Sequence, residues 1–135
     1  MRSFLLLALL ATTACEAEHH AVPPKAPNNE LILGEYERHP PEGTTAIRFR
    51  ADGSVKVAKT KAELDGSSPI ATGTWKTDGN KLTLTYEQGA CTESEAEKAG
   101  TYEVVISKVG IHFKKLDDAC QRRSTIDGQT FWRVK

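Results

Sequence analysis

The chain has 135 residues, 39% of them hydrophobic, and its 18 Lys and Arg offset 18 Asp and Glu to a formal charge of zero. That length fits one domain of ordinary size, and the even charge excludes the clustered basic excess of a nucleic-acid-binding face. Three cysteines cannot all be paired within one chain, so one of them needs another use.

The start reads Met1-Arg2-Ser3, is apolar over 4–11, and ends in small residues before Cys15. One positive charge, a short apolar stretch and small residues form the layout of a secretory signal. The apolar stretch is far below the roughly 20 residues that a helix needs to cross a bilayer. Thr13-Ala14-Cys15 resembles the lipobox of bacterial lipoproteins. The resemblance implies a signal over 1–14 and cleavage before Cys15, whose thiol then carries a diacylglycerol and whose amine an acyl chain. Glu16 after the cysteine points, by the sorting rule of that class, to a lipid-anchored place in the cell envelope at the outer membrane. An ordinary secretory protein cut near Ala14 is the alternative. Cleavage removes Arg2 as the only charge and leaves −1. It also leaves a leaner apolar content, which favours a covalent staple.

Residues 15–30 contain Pro23, Pro24 and Pro27 with Asn28-Asn29, and read as an extended tether. His19-His20 lies within it, with no further metal ligands at useful spacing; no metal or cofactor is expected. From Leu31 to the end, short apolar-polar alternations separated by glycine-bearing turns predict an all-β meander. Strands are expected at 31–38, 45–50 and 54–59, with Asp52-Gly53 as a hairpin turn. Others are expected at 72–77 with Trp75, at 81–87 with Leu82, Leu84 and Tyr86 on one face, at 101–107 and 110–116, and at 129–134. Residues 62–69 read as a polar loop with room for a helical turn, 89–100 as a loop or short exposed helix, and 117–127 as irregular with one helical turn. Seven or eight antiparallel strands at hairpin spacing favour closure into a barrel, which leaves no exposed edge. The domain is expected over 31–135, as a monomer.

If the strands at 101–107 and 110–116 pair, Cys91 and Cys120 both lie beyond the same end of their hairpin. A disulfide between them suits a secretory route. Free thiols or a Cys/His metal site are the alternatives. Asp118 and Arg123 read as a structural ion pair beside that bridge, with an anion site at Arg122 and Arg123 as the functional alternative.

Several short motifs recur in order: Leu33-Gly34-Glu35-Tyr36, Phe49-Arg50-Ala51-Asp52-Gly53, Gly73-Thr74-Trp75, Gly100-Thr101-Tyr102, Asp118-Ala119-Cys120-Gln121-Arg122-Arg123 and Trp132-Arg133. Together they resemble the small lipocalin-like domains of bacterial lipoproteins and other secreted proteins. Gly34-Glu35-Tyr36 is similar to the Gly-x-Trp opening of the first lipocalin strand, with Tyr36 in the tryptophan's place. The resemblance implies a calycin-type barrel with one end open to a cavity. Arg133 beside Trp132 permits a cation–π contact over a barrel end, as in lipocalins.

No nucleophile elbow, phosphate loop or metal-spacing motif appears. His39 and His112 lack a recognisable triad, and Asp117-Asp118 and Glu35/Glu37 read as solvated acids, so no catalytic residue and no enzyme is expected. The inward faces name Tyr36, Phe49, Trp75, Tyr86, Tyr102 and Phe113 as candidate walls of a cavity, beside Val57, Leu84 and Val104. Hydroxyls of Tyr36, Tyr86 and Tyr102 could orient a small hydrophobic or amphipathic ligand. The same side chains could instead fill the barrel. The chain would then be an interaction module acting through its loops 62–69 and 89–100.

Overall fold

The computed structural model of the protein describes residues 26–39 and 44–134. The expected signal, Cys15, His19-His20 and most of the tether lie outside these residues, as do Pro40 and Pro41. Eight strands follow one another: β1 (Gly34–Arg38), β2 (Thr45–Phe49), β3 (Ser54–Ala58), β4 (Ala71–Asp78), β5 (Lys81–Gly89), β6 (Ala99–Ile106), β7 (Gly110–Asp117) and β8 (Thr130–Arg133). Each pairs antiparallel with the next. β8 then returns to β1 through Tyr36–Arg133 and Glu37–Trp132. The result is a closed up-and-down barrel, as the alternation predicts.

The facing of each strand follows its pattern. On β5, Leu82, Leu84 and Tyr86 are buried while Thr83 and Thr85 are half-buried on the outer side. On β2, Ile47 and Phe49 point inward, and Arg48 lies opposite Glu35 of β1 on the outer face. The ladder between β4 and β5 slips by one residue at Thr72/Gly73. A Cβ at Gly73 would lie 1.9 Å from the Thr85 carbonyl oxygen, so the two backbones approach as closely as only glycine allows.

The two ends of the barrel differ. At the narrow end the strands are joined by tight turns after β2, β4 and β6, and a helical turn, α1 (Asn28–Leu31), packs against them. The extended tether expected up to Glu30 thus gives way at Asn28, whose side-chain amide donates to the Gly79 carbonyl at 2.9 Å. Ile32 is fully buried beneath this turn. The Arg133 guanidinium donates to the Leu33 and Leu31 carbonyls at 2.8 and 2.7 Å and lies 4.8 Å from the centre of the Tyr36 ring. The cation–π partner of Arg133 is therefore Tyr36 and not Trp132. Alternation on β8 turns Phe131 and Arg133 inward and leaves Trp132 51% exposed.

At the opposite end, here called the mouth, longer segments connect the strands. They hold a 3-10 turn (Ala62–Asp65), α2 (Glu95–Lys98) and α3 (Gln121–Ser124). Leu64 anchors the first of these against Ala46 and Ala58. Arg48 ties it down, donating to Asp65 at 2.7 Å while it also meets Glu35 at 2.6 Å. Glu35 and Glu37 are thus not simply solvated: Glu37 accepts from the Lys61 backbone N–H at 3.0 Å.

Candidate functional site

Five of the six candidate cavity residues belong to two groups of three edge-to-face rings. Tyr36 meets Phe49 and Phe49 meets Trp75 edge to face, with ring centres 6.0 and 5.9 Å apart. Tyr102 meets Phe113, and Phe113 meets Phe131, in the same way at 6.2 and 5.4 Å. Such T-shaped contacts set the positive edge of one ring on the negative face of the next. Two of the three tyrosine hydroxyls are already engaged. Tyr36 donates to the Ile32 carbonyl at 2.9 Å and Tyr102 donates to the Asp118 carboxylate. Burial raises both hydroxyls above their ordinary range, and Asp118 pushes Tyr102 further in the same direction.

Tyr86 differs. It is 4% exposed, it lines a cleft at the mouth, and its hydroxyl makes no hydrogen bond among the described residues. Burial pushes this hydroxyl up strongly, so it remains a proton donor throughout the neutral range. The cleft encloses about 190 Å³. Its apolar walls are Val57 of β3, Ile70 before β4, Ala90 after β5 and Ile126 after α3. Its polar rim is Thr45, Arg122, Arg123 and Thr125. No carboxylate is among these lining residues.

The β5–β6 and β7–β8 connections that frame one side of the cleft are fixed twice. A disulfide joins Cys91 to Cys120, whose Cα atoms are 5.7 Å apart. Beside it, Arg123 meets Asp118 through two prongs, Nε to Oδ2 and Nη2 to Oδ1, both 2.7 Å, with neither side chain exposed. The same guanidinium donates to the Lys98 and Glu97 carbonyls at 2.9 and 2.7 Å. It lies 4.7 Å from the centre of the Tyr86 ring. Burial would raise the Asp118 carboxyl, but hydrogen bonds from Arg123, Tyr102 and the Cys120 N–H outweigh it and hold the group below its usual range. For Arg123 burial alone would lower the guanidinium, and the bonds to Asp118 raise it instead. Arg123 is therefore spent within the protein, which removes it from the anion site entertained for Arg122 and Arg123. Arg122 is exposed on the rim, and no side-chain hydrogen bond or ion pair engages it among the described residues.

Sequence reasoning missed Arg38. Its side chain enters the same end, 5.4 Å over the Phe131 ring. It donates to the Thr125 carbonyl at 2.9 Å and to the Thr45 hydroxyl at 3.3 Å. Both partners line the cleft, yet the buried Nε of Arg38 has no acceptor. The period of β1, with Tyr36 inward, already placed position 38 on the inner face.

Among the described residues His112 is bound to Thr130 at 2.9 Å on the outer face, and His39 lies 3.5 Å from Glu37. No group of three His, Cys, Asp or Glu among them could hold a metal, and no helix among them is long and apolar enough to cross a membrane. Comparison with protein families finds that residues 25–107 match the model of a lipocalin-like domain. Comparison with curated proteins and with solved structures finds no match. The matched range ends after β6, so Asp118, Arg122, Arg123 and Ile126 lie beyond it.

Proposed function

The chain belongs to the lipocalin-like domain family, and on that premise we propose that it is a non-enzymatic binding protein which takes a small hydrophobic or amphipathic molecule into the mouth of its barrel. The fold is typically a binding fold. The observation that carries the reading is the cleft of about 190 Å³, with four apolar walls and the unpartnered hydroxyl of Tyr86, a residue only 4% exposed. An apolar cavity of about 150 Å³ suffices for benzene. Ligand pockets for larger molecules run to roughly 300–1,000 Å³. The ligand is accordingly one ring or a short chain with a single polar head. Lipid attachment at Cys15 would hold the barrel at the membrane, as the Thr13-Ala14-Cys15 signal supports.

Native mass spectrometry of protein purified from its own host tests both parts. A retained small molecule supports the carrier, and an acylated Cys15 supports the anchor. A ligand-free barrel whose cleft amides respond to no small-molecule ring would overturn the first, and an unmodified Cys15 thiol the second. The alternative, an interaction module with a filled barrel, draws on the interlocked rings of Tyr36, Phe49, Tyr102 and Phe113. A co-purifying protein bound at the loops 62–69 or 89–100 would favour it.

A further inference from the structure

Two hydrogen-bond donors that line the mouth cleft have no acceptor among the described residues. The Tyr86 hydroxyl is one and the Arg122 guanidinium on the rim is the other; the buried Nε of Arg38, whose side chain donates to Thr45 and Thr125 of the lining, also lacks an acceptor. Leaving a buried donor unsatisfied is costly, and native structures rarely keep such groups without a reason. Arg38 carries such a group where its side chain meets the cleft lining at Thr45 and Thr125, and the lining itself offers the Tyr86 hydroxyl and the Arg122 cation. Arg123 adds no net charge because Asp118 neutralises it inside the protein. The lining contains no acceptor-only side chain that could answer the donors.

Resting on the mouth cleft as a binding site, we propose that its ligand is a small organic anion, an apolar body of about one ring bearing a carboxylate or a comparable oxyanion. Such a head is acceptor-only and offers about four lone-pair sites. It can take the Tyr86 O–H and the Arg122 guanidinium at once, and charge-assisted bonds of this kind are roughly twice as strong as neutral ones. The body meets Val57, Ile70, Ala90 and Ile126. A cationic head would confront Arg122 with like charge and leave every donor unanswered. A neutral alcohol would answer one donor at most and gain nothing from the charge.

The test compares benzoate with benzyl alcohol, two rings of similar size, by following backbone amide shifts of the intact protein at low salt. Benzoate is expected to shift the amides of Ala90 and Ile126 and to bind at least about tenfold more tightly than benzyl alcohol, the ratio one charge-assisted bond supplies. Arg122→Gln is expected to narrow that gap to within about threefold, and Tyr86→Phe to narrow it further. Equal binding of the two rings would overturn the anionic class while leaving the cleft as a binding site. No shift of the cleft amides with either ring would overturn the cleft itself. The exposed position of Arg122 keeps its variant foldable, so its result bears on the ligand alone.

Discussion

Arg123 and Asp118 meet through two bonds of 2.7 Å with no exposed side-chain surface on either partner. Taking two charges out of water is costly, and a buried pair of this kind need not be more stable than an apolar replacement. Removing one partner is another matter, since it strands the other charge. Arg123→Ala should lower the unfolding free energy by about 3–5 kcal/mol. Replacing both residues with apolar side chains of similar volume should cost clearly less than the single change. Urea denaturation of the two variants checks this; equal losses would mean that the stranded charge is not the source.

The same pair sets an acid limit on the fold. A carboxyl held below its unfolded value contributes stability that is present above about pH 3.9 and is lost as the pH falls through its lower folded value. Asp118 is such a group. Wild-type protein should therefore exceed Asp118→Asn in stability at neutral pH, and the gap should shrink as the pH drops below about 4. Denaturation midpoints measured down to about pH 2 read it directly. A gap that stays constant would show that the carboxylate's ionisation contributes nothing.

Gly100 sits against this pair on β6. A Cβ there would lie 2.4 Å from Asp118 Oδ2 and 2.8 Å from Arg123 Nε, so alanine would force the interlocked ions apart. Gly100→Ala should destabilise by about 1–3 kcal/mol, in the range of an overpacked core. Its loss should be much smaller in a background where Asp118 and Arg123 are already apolar. A thermodynamic cycle of these variants gives the coupling.

How much of this was legible in the sequence depends on whether the signal was local. Leu82, Leu84 and Tyr86 show their facing because a strand repeats every two residues. The same rule applied to Phe131-Trp132-Arg133 forbids Trp132 from sharing a face with Arg133, a signal that was available and outweighed by the adjacency of the two residues. Asp118 and Arg123 are five residues apart and could be paired by inspection. The helical turn at Asn28–Leu31 has no periodic trace in a proline-rich stretch, because Gly79, 51 residues away, completes its anchoring. The mouth cleft was the least legible. Its walls come from four separate connections and strand ends, and its empty space is set by barrel closure. Strand alternation named interior rings as a ligand's surroundings, and five of the six instead pack against other rings.

The bridge between Cys91 and Cys120 spans 29 residues, and in the chain-entropy model a link of that length stabilises by about 3–4 kcal/mol. It closes the connections that also carry Ala90 and Arg122. Replacing both cysteines with serine should lower stability by about that amount. It should also weaken binding at the cleft more than a change of equal cost at the narrow end. Arg133→Ala supplies that comparison, because it removes the Tyr36 stacking and two carbonyl bonds on the opposite side of the barrel. If the two variants lose stability alike and retain equal affinity for the same ring compound, the staple serves the fold only. If the serine variant alone loses affinity, the bridge also holds the rim of the cleft in place.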